Sequence, residues 1–188
     1  MTNKYNAEQN KITKESILGA LMSLMEKKDF KNISITEVSQ KAGVSRMAFY
    51  RNYSIMEDIL IDHLDDMFRE YSNLLNHKEI SNYEMTRLFF YYFRQHQKFI
   101  ENLLRSKLTH LILERSIEFL NIYSKTITCT MDCSPEFEEY NIGFIAGGFF
   151  NVLMIWCKSG MTESDEKMAE IVHERLSNHI AGITLTNF

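Results

Sequence analysis

A single proline, Pro135, stands in the 188 residues, and only seven glycines stand beside it. Proline breaks helix interiors and glycine costs about 1 kcal/mol there, so a chain that nearly excludes both is free to be helical along most of its length. Alternating β-branched runs are almost absent. The best candidate, Thr126-Ile127-Thr128-Cys129-Thr130, is short and has no partner run nearby. The fold class expected is therefore all-α. A hydrophobic share of 45% is enough for a true core. The length allows one domain or a small module joined to a larger one, and no internal repeat or low-complexity tract appears.

Cap residues and turn residues divide this helical chain. The first ten residues are polar and are expected to fray, with Thr13 as N-cap of a helix to about Lys28. Its apolar positions Ile17, Leu18, Leu21, Leu24 and Met25 follow helical spacing. After a loop at Asp29–Asn32, Ser34 followed three residues later by Glu37 reads as a capping box. That short helix stops at Gly43, whose positive-φ tolerance suits a tight turn. Ser45 then caps a second short helix, Arg46 to about Tyr53. Two short helices joined by Ala42-Gly43-Val44-Ser45 form the layout of a helix-turn-helix, in which the second helix enters a major groove.

Longer helices are expected beyond it, the first from about Ile55 to Asn76 and capped by Ser54 with Glu57. A second opens at Ser81 with Glu84 and carries the stripe Met85, Leu88, Phe89, Tyr92 and Phe93. Others run from about Lys98 to Ser106, Leu108 to Ile127, Glu136 to Lys158 (after a loop at Met131–Pro135) and Ser164 to Ile180. The short loops between them suit antiparallel neighbours in a bundle.

Charge is distributed unevenly. Residues 1–56 hold nine Lys/Arg and five acids, a net +4, against a whole-chain charge of −4, which leaves −8 for the rest. A basic head on an acidic body suits a polyanionic partner at one end only.

From Ile12 to Leu60 the sequence resembles the DNA-binding domain of the tetracycline-repressor (TetR) family. The resemblance is carried by Ile33-Ser34-Ile35-Thr36-Glu37-Val38, Ala42-Gly43-Val44-Ser45-Arg46, Phe49-Tyr50-Arg51-Asn52-Tyr53 and Glu57-Asp58-Ile59-Leu60. It implies a three-helix DNA-binding module over residues 1–55 and a helical effector-binding and dimerisation bundle over 56–188. The implied activity is that of a ligand-responsive repressor binding a palindromic operator as a dimer. The alternatives are an activator, or a protein- or ligand-binding module without strong DNA binding.

The expected DNA-facing residues are Thr36, Ser45, Arg46, Met47, Ala48, Tyr50, Arg51 and Asn52. Arg46 has the planar fork that pairs with guanine O6 and N7. Tyr50 and Asn52 match family positions that touch phosphates, which set register rather than sequence, and Thr36 lies where a helix start favours anions. Val38, Ala42, Val44 and Phe49 are expected to face inward. Three positions depart from the family pattern. Ala48 stands where threonine is frequent, Asn52 where histidine is, and Met56 where a phosphate-binding lysine is common.

In the remaining part, aromatic and methionine side chains could line an adaptable cavity. The candidate lining is Phe89, Phe93, Phe99, His110, Phe119, Tyr123 and Phe144. The helix Glu136–Lys158 is apolar nearly all round and carries Gly143, Gly147 and Gly148. It is therefore expected to pack inward on one side and against a twin subunit on the other. With the last helix it gives a candidate dimer interface of Gly147, Phe150, Met154, Met168, Ile171 and Val172.

Enzymatic function is not expected. Glu170-x-x-His173 lacks the second pair that a di-iron bundle needs. Cys129 and Cys133 lack a nearby second ligand pair for zinc. No phosphate loop or serine elbow appears. No metal or cofactor is expected. Ile142–Cys157, interrupted by Asn151, is shorter than a bilayer span of about 20 apolar residues. The three cysteines read as reduced thiols, and the polar start carries no secretory h-region. A cytoplasmic protein with no membrane contact is expected.

Overall fold

The computed structural model describes residues 2–75, 81–124 and 135–181. All regular structure among the described residues is helical: α1 (Thr2–Met25), a 3-10 turn (Phe30–Asn32), α2 (Ile35–Lys41), α3 (Arg46–Tyr50), α4 (Glu57–Leu75), α5 (Asn82–Gln95), α6 (Gln97–Arg105), α7 (His110–Ser124), α8 (Pro135–Lys158) and α9 (Asp165–Ala181). The expected extension of α7 to Ile127, most of the Met131–Pro135 loop, the Thr126–Thr130 run, Cys129 and Cys133 lie outside the described residues.

α1 and α3 each end about three residues before the sequence reading has them, at Met25 and Tyr50, α7 opens at His110 rather than Leu108, and the starts of α1 and α4 differ for local reasons. α1 begins well before Thr13, whose hydroxyl donates back to the Gln9 carbonyl at 2.9 Å rather than capping a start. Gln9, Asn10 and Lys11 carry no breaker, and Lys11 pairs with Glu15 one turn on. α4 starts at Glu57 instead of Ile55, and its cap is neither Ser54 nor Glu57. The Asp58 carboxylate accepts from the Ser54 and Ile55 backbone N–H groups at 2.7 and 2.9 Å.

The chain divides into two compact units. The first draws on Met1–Met67 and Lys98–Thr128, the second on Phe68–Gln97 and Cys129–Phe188. In the first, Ile17 and Leu21 of α1 are sealed from solvent together with Val38, Phe49, Ile59, Leu60, Leu64, Ile100 and Leu103. Past the end of α6, Lys107 adopts φ +59° in the closing turn, where the Lys107 and Leu108 N–H groups satisfy the Leu104 and Leu103 carbonyls.

In the second unit α5 packs on α9. Its core is aromatic. The Phe89 and Phe93 rings lie 4.4 Å apart, and Phe90 meets the Trp156 indole edge-on at 5.4 Å. Arg94 lies over that indole, 4.5 Å from its centroid, donates to Asp165 at 2.7 Å and to the Met161 carbonyl at 2.6 Å, and also reaches the Glu163 carbonyl. One guanidinium so holds the end of α5 to the turn between α8 and α9. Gly160, at φ +80°, makes that turn possible.

Candidate nucleic-acid interface

The two-helix motif is fixed by short-range chemistry. Both halves of the capping box form. The Ser34 hydroxyl accepts from the Glu37 N–H at 3.2 Å, and the Glu37 carboxylate accepts from the Ser34 N–H at 2.9 Å. Lys28 also grips that carboxylate, and its hydrogen bond leads the effects that lower the Glu37 pKa from 4.5 to about 2. α2 then closes in a Schellman turn. The Val44 N–H returns to the Ser39 carbonyl, the Gly43 N–H returns to the Gln40 carbonyl, and Gly43 takes φ +68°. Ser45 caps α3 by accepting from the Ala48 N–H at 3.1 Å.

α3 has two unlike sides. Phe49 is fully buried and touches Tyr53 edge-on at 5.9 Å. On the outer side Ser45, Arg46, Met47, Tyr50 and Arg51 are exposed, Met47 to 72% and Tyr50 to 48%. The Arg46 guanidinium lies 6.0 Å from the Tyr50 ring centre, one helical turn on. Thr36 on α2 is exposed as well. Ala48 and Asn52 are half-buried, and the Asn52 amide donates to the Ala48 carbonyl at 2.9 Å. Of the residues expected inside, Val38 and Phe49 are fully buried, while Ala42 and Val44 are half-buried. Met56 is 9% exposed and belongs to the core, where an apolar side chain belongs.

Behind this surface lies an arrangement that the sequence reading missed. The Asp62 carboxylate accepts from Lys14 at 2.9 and 3.0 Å and from the Tyr53 hydroxyl at 2.9 Å. α1, the segment after α3, and α4 thus meet at one carboxylate. Burial first, and then the bond to Asp62, raise the Tyr53 pKa and keep the phenol protonated. Lys14 and Asp62 are 48 positions apart, so no local pattern could have paired them.

The residues expected to line an effector cavity are distributed over both units. Phe89 and Phe93 are buried neighbours in the second unit, and Phe144 is 76% exposed on α8. In the first unit Phe99 is buried against His63, Phe119 stacks on Tyr123 at 5.4 Å, and His110 is exposed. An open cleft of about 520 Å³ in that unit is lined by Glu26, Lys98, Glu101, Asn102, Leu104 and Arg105, none of them an expected pocket residue. Among the described residues no group of three or more His, Cys, Asp or Glu could hold a metal.

Of the residues expected at a dimer interface, Met154, Met168 and Val172 are buried within the second unit. Gly147 and Phe150 are half-buried, and Ile171 is 37% exposed. α8 instead exposes Phe137, Tyr140, Phe144 and Ile155, at 59 to 76%, with Gly148 and Asn151 between them. Those six positions fall every three or four residues along a single helical stripe. By length and composition alone α8 would also pass for a membrane span, and one third of its most apolar stretch is buried.

Comparison with known proteins gives this geometry a context. The TetR family described as "Transcriptional regulator C-terminal region" matches residues 81–178, which takes in α5 to α8 and most of α9. No curated protein matches the chain. Among solved structures, the Listeria innocua protein Lin0861 superposes with a TM-score of 0.76 at 14% identity, covering 90% of this chain and 91% of that one. A TetR transcriptional regulator from Streptococcus agalactiae gives 0.62 at 21% identity, over 90% and 96%. The dihydroxyacetone kinase operon activator DhaS gives 0.59 at 20% identity, over 90% and 96%. At these identities the structures establish a shared fold, and the family match over the carboxyl-terminal half establishes kinship. The chain belongs to the TetR family of transcriptional regulators.

Proposed function

We propose that the chain is a ligand-responsive repressor that binds a palindromic operator as a homodimer in the cytoplasm. Residues 1–55 would serve as the reading head and 56–188 as the effector-binding and dimerisation part. The observation that carries the reading is the two-sided character of α3, with Phe49 locked into the core and Arg46, Met47, Tyr50 and Arg51 held out toward solvent by the Ser45 cap. Arg46 is assigned to a guanine edge. Thr36, Ser45, Tyr50, Arg51 and Asn52 are assigned to phosphates and sugars, and Ala48 to close approach of the backbone. The Asn52 amide keeps one N–H for that purpose, since its bond to Ala48 uses the other.

The exposed stripe of α8, with Ile171 of α9, supports a two-fold contact. It is apolar apart from Asn151, lies along one line and is left uncovered by its own unit. A two-fold dimer would set its heads about 34 Å apart, one turn of DNA, as a palindromic site requires. An effector held by the carboxyl-terminal part, with Phe89 and Phe93 of α5 among its lining, would have to bind the DNA-incompetent spacing more tightly than the competent one. The same fold serves the activator DhaS, so the sign of the response is read from transcription with and without effector.

A gel-shift titration against salt tests the reading. The protein should retard duplex from its own upstream region, with affinity falling steeply as salt rises and counterions are released. Arg46→Ala should weaken specific binding by about 1–3 kcal/mol and relax preference at one base position. Retardation of no fragment, even at low salt, would refute it.

A further inference from the structure

Met47 is the most exposed large apolar side chain of the described first unit, with 72% of its surface in solvent. It occupies the second residue of α3, inside a surface otherwise made of serine, arginine and tyrosine. A lone exposed apolar residue is ordinary on a protein surface. This one is set apart by where it is held. The neighbouring residues fix its direction. Arg46 and Tyr50, one turn apart, face one another along one edge of the helix. Met47 is turned about 100° from Arg46 by the helical repeat of 3.6 residues per turn. It shares its own edge with Arg51, whose N–H closes on the Met47 carbonyl at 3.1 Å. The two edges therefore leave the helix in different directions.

The chemistry of that second edge restricts what it can read. A thioether neither donates nor strongly accepts a hydrogen bond. Set against guanine, adenine or cytosine, it would leave the base's donors and acceptors dry and unpaired. Thymine alone presents an apolar group, its 5-methyl, to the major groove. The long, pliable and polarisable methionine side chain can lie flat on such a methyl without demanding one exact geometry. Charge favours a DNA duplex as the partner, without choosing among its bases. Lys41, Arg46 and Arg51 flank the turn and α3, and the first 56 residues carry a net +4.

We propose that Met47 is a specificity-determining residue that packs its thioether end on the 5-methyl group of one thymine in each operator half-site, at a base position beside the one read by Arg46. This inference rests on the DNA-binding reading above and adds to it a named base and a named contact.

Deoxyuridine differs from thymidine only by that methyl group, so it isolates the contact. The full-length protein first enriches its preferred duplex from a random-sequence library. Each thymidine of that duplex is then replaced by deoxyuridine, and Kd is measured by fluorescence anisotropy. The wild type should lose about fourfold in affinity at one position per half-site, the effect of burying one methyl. Met47→Ala should bind the unmodified duplex more weakly and show no loss at that position, and Met47→Leu should restore the sensitivity. Because the side chain is exposed, both variants should melt with the wild type, which checks that the fold is intact. If a duplex is enriched but no deoxyuridine substitution weakens binding, or if the sensitive position stays equally sensitive in Met47→Ala, the thymine contact is overturned. If no duplex is enriched at any salt, the DNA-binding reading itself fails.

Discussion

The α2–α3 motif and the helix α8 both hold apolar side chains out to solvent, yet the two regions reach that state by opposite routes. In the motif each exposed residue has a buried opposite number a few positions away. Met47 points out because Phe49 points in, and caps at Ser34 and Ser45 fix where each helix begins. α8 has no such contrast in its composition. From Ile142 to Cys157 it is apolar but for Asn151, and there its exposed Phe144 and Ile155 are as hydrophobic as the face carrying Leu153, Met154, Trp156 and Cys157. Orientation in the motif is specified within the chain itself. On α8 the chain selects a buried face and leaves a second surface of the same character for something else to cover.

That contrast gives the largest expected effect. If a twin chain covers the α8 stripe, Phe144→Glu should convert the dimer to monomer. A central aromatic contact is worth about 2 kcal/mol or more, and two-fold symmetry introduces the change twice. Sedimentation equilibrium should show a dimer Kd raised about a thousandfold, with the monomer's melting unchanged. Met154→Glu, aimed at the buried face, should instead unfold the second unit. A Phe144→Glu protein that dimerises like the wild type would show that α8's outer face meets another partner.

Within the motif the same logic separates two residues that stand two positions apart in sequence. Phe49→Ala should destabilise the protein by about 3–5 kcal/mol, because it empties a fully buried aromatic site. Met47→Ala should change stability by less than about 0.5 kcal/mol. Urea titrations of the two variants measure both. Equal losses would mean that α3 is not seated as described. Asp58→Ala comes next, at about 1 kcal/mol, for the loss of a carboxylate that satisfies two backbone N–H groups at the start of α4. A matching Ser54→Ala variant should cost less, since the Ser54 contribution to this cap is its backbone N–H.

These differences also explain what the sequence made legible. Ser34 with Glu37, Gly43, and Ser45 with its helix were readable because each is a contact between residues a few positions apart, made by residue types with few alternatives. The inward set Val38 and Phe49 was readable because helical periodicity contrasts apolar with polar positions. The α8 face was not. A helix without polar contrast carries no phase, and both sides fit the same pattern. Nor was the meeting of Lys14, Tyr53 and Asp62 at one carboxylate, because the pairing depends on how α1, α4 and the segment after α3 pack. The start of α4 was misplaced for a simpler reason. Asp58 reaches back four residues to Ser54 and three to Ile55, a cap from within the helix that resembles an ordinary acidic first turn.

The smallest effect concerns Glu37, the residue that joins the capping box to Lys28. Its carboxyl titrates near pH 2 in the folded chain against an ordinary value of 4.5, chiefly through the Lys28 hydrogen bond. A carboxyl whose pKa is lowered by folding binds its proton more readily in the unfolded chain. The stability it contributes is therefore complete above pH 4.5, declines as pH falls between 4.5 and about 2, and is gone below that. Glu37→Gln keeps an amide oxygen able to complete the capping box and removes the charge. The difference in urea midpoint between wild type and Glu37→Gln should be present above pH 4.5 and should shrink toward zero near pH 2. The group is exposed, so added salt should shrink the difference as well. A difference that stays constant across that range would mean that the Lys28 pairing does not persist in solution, and that the capping box alone holds the start of α2 in place.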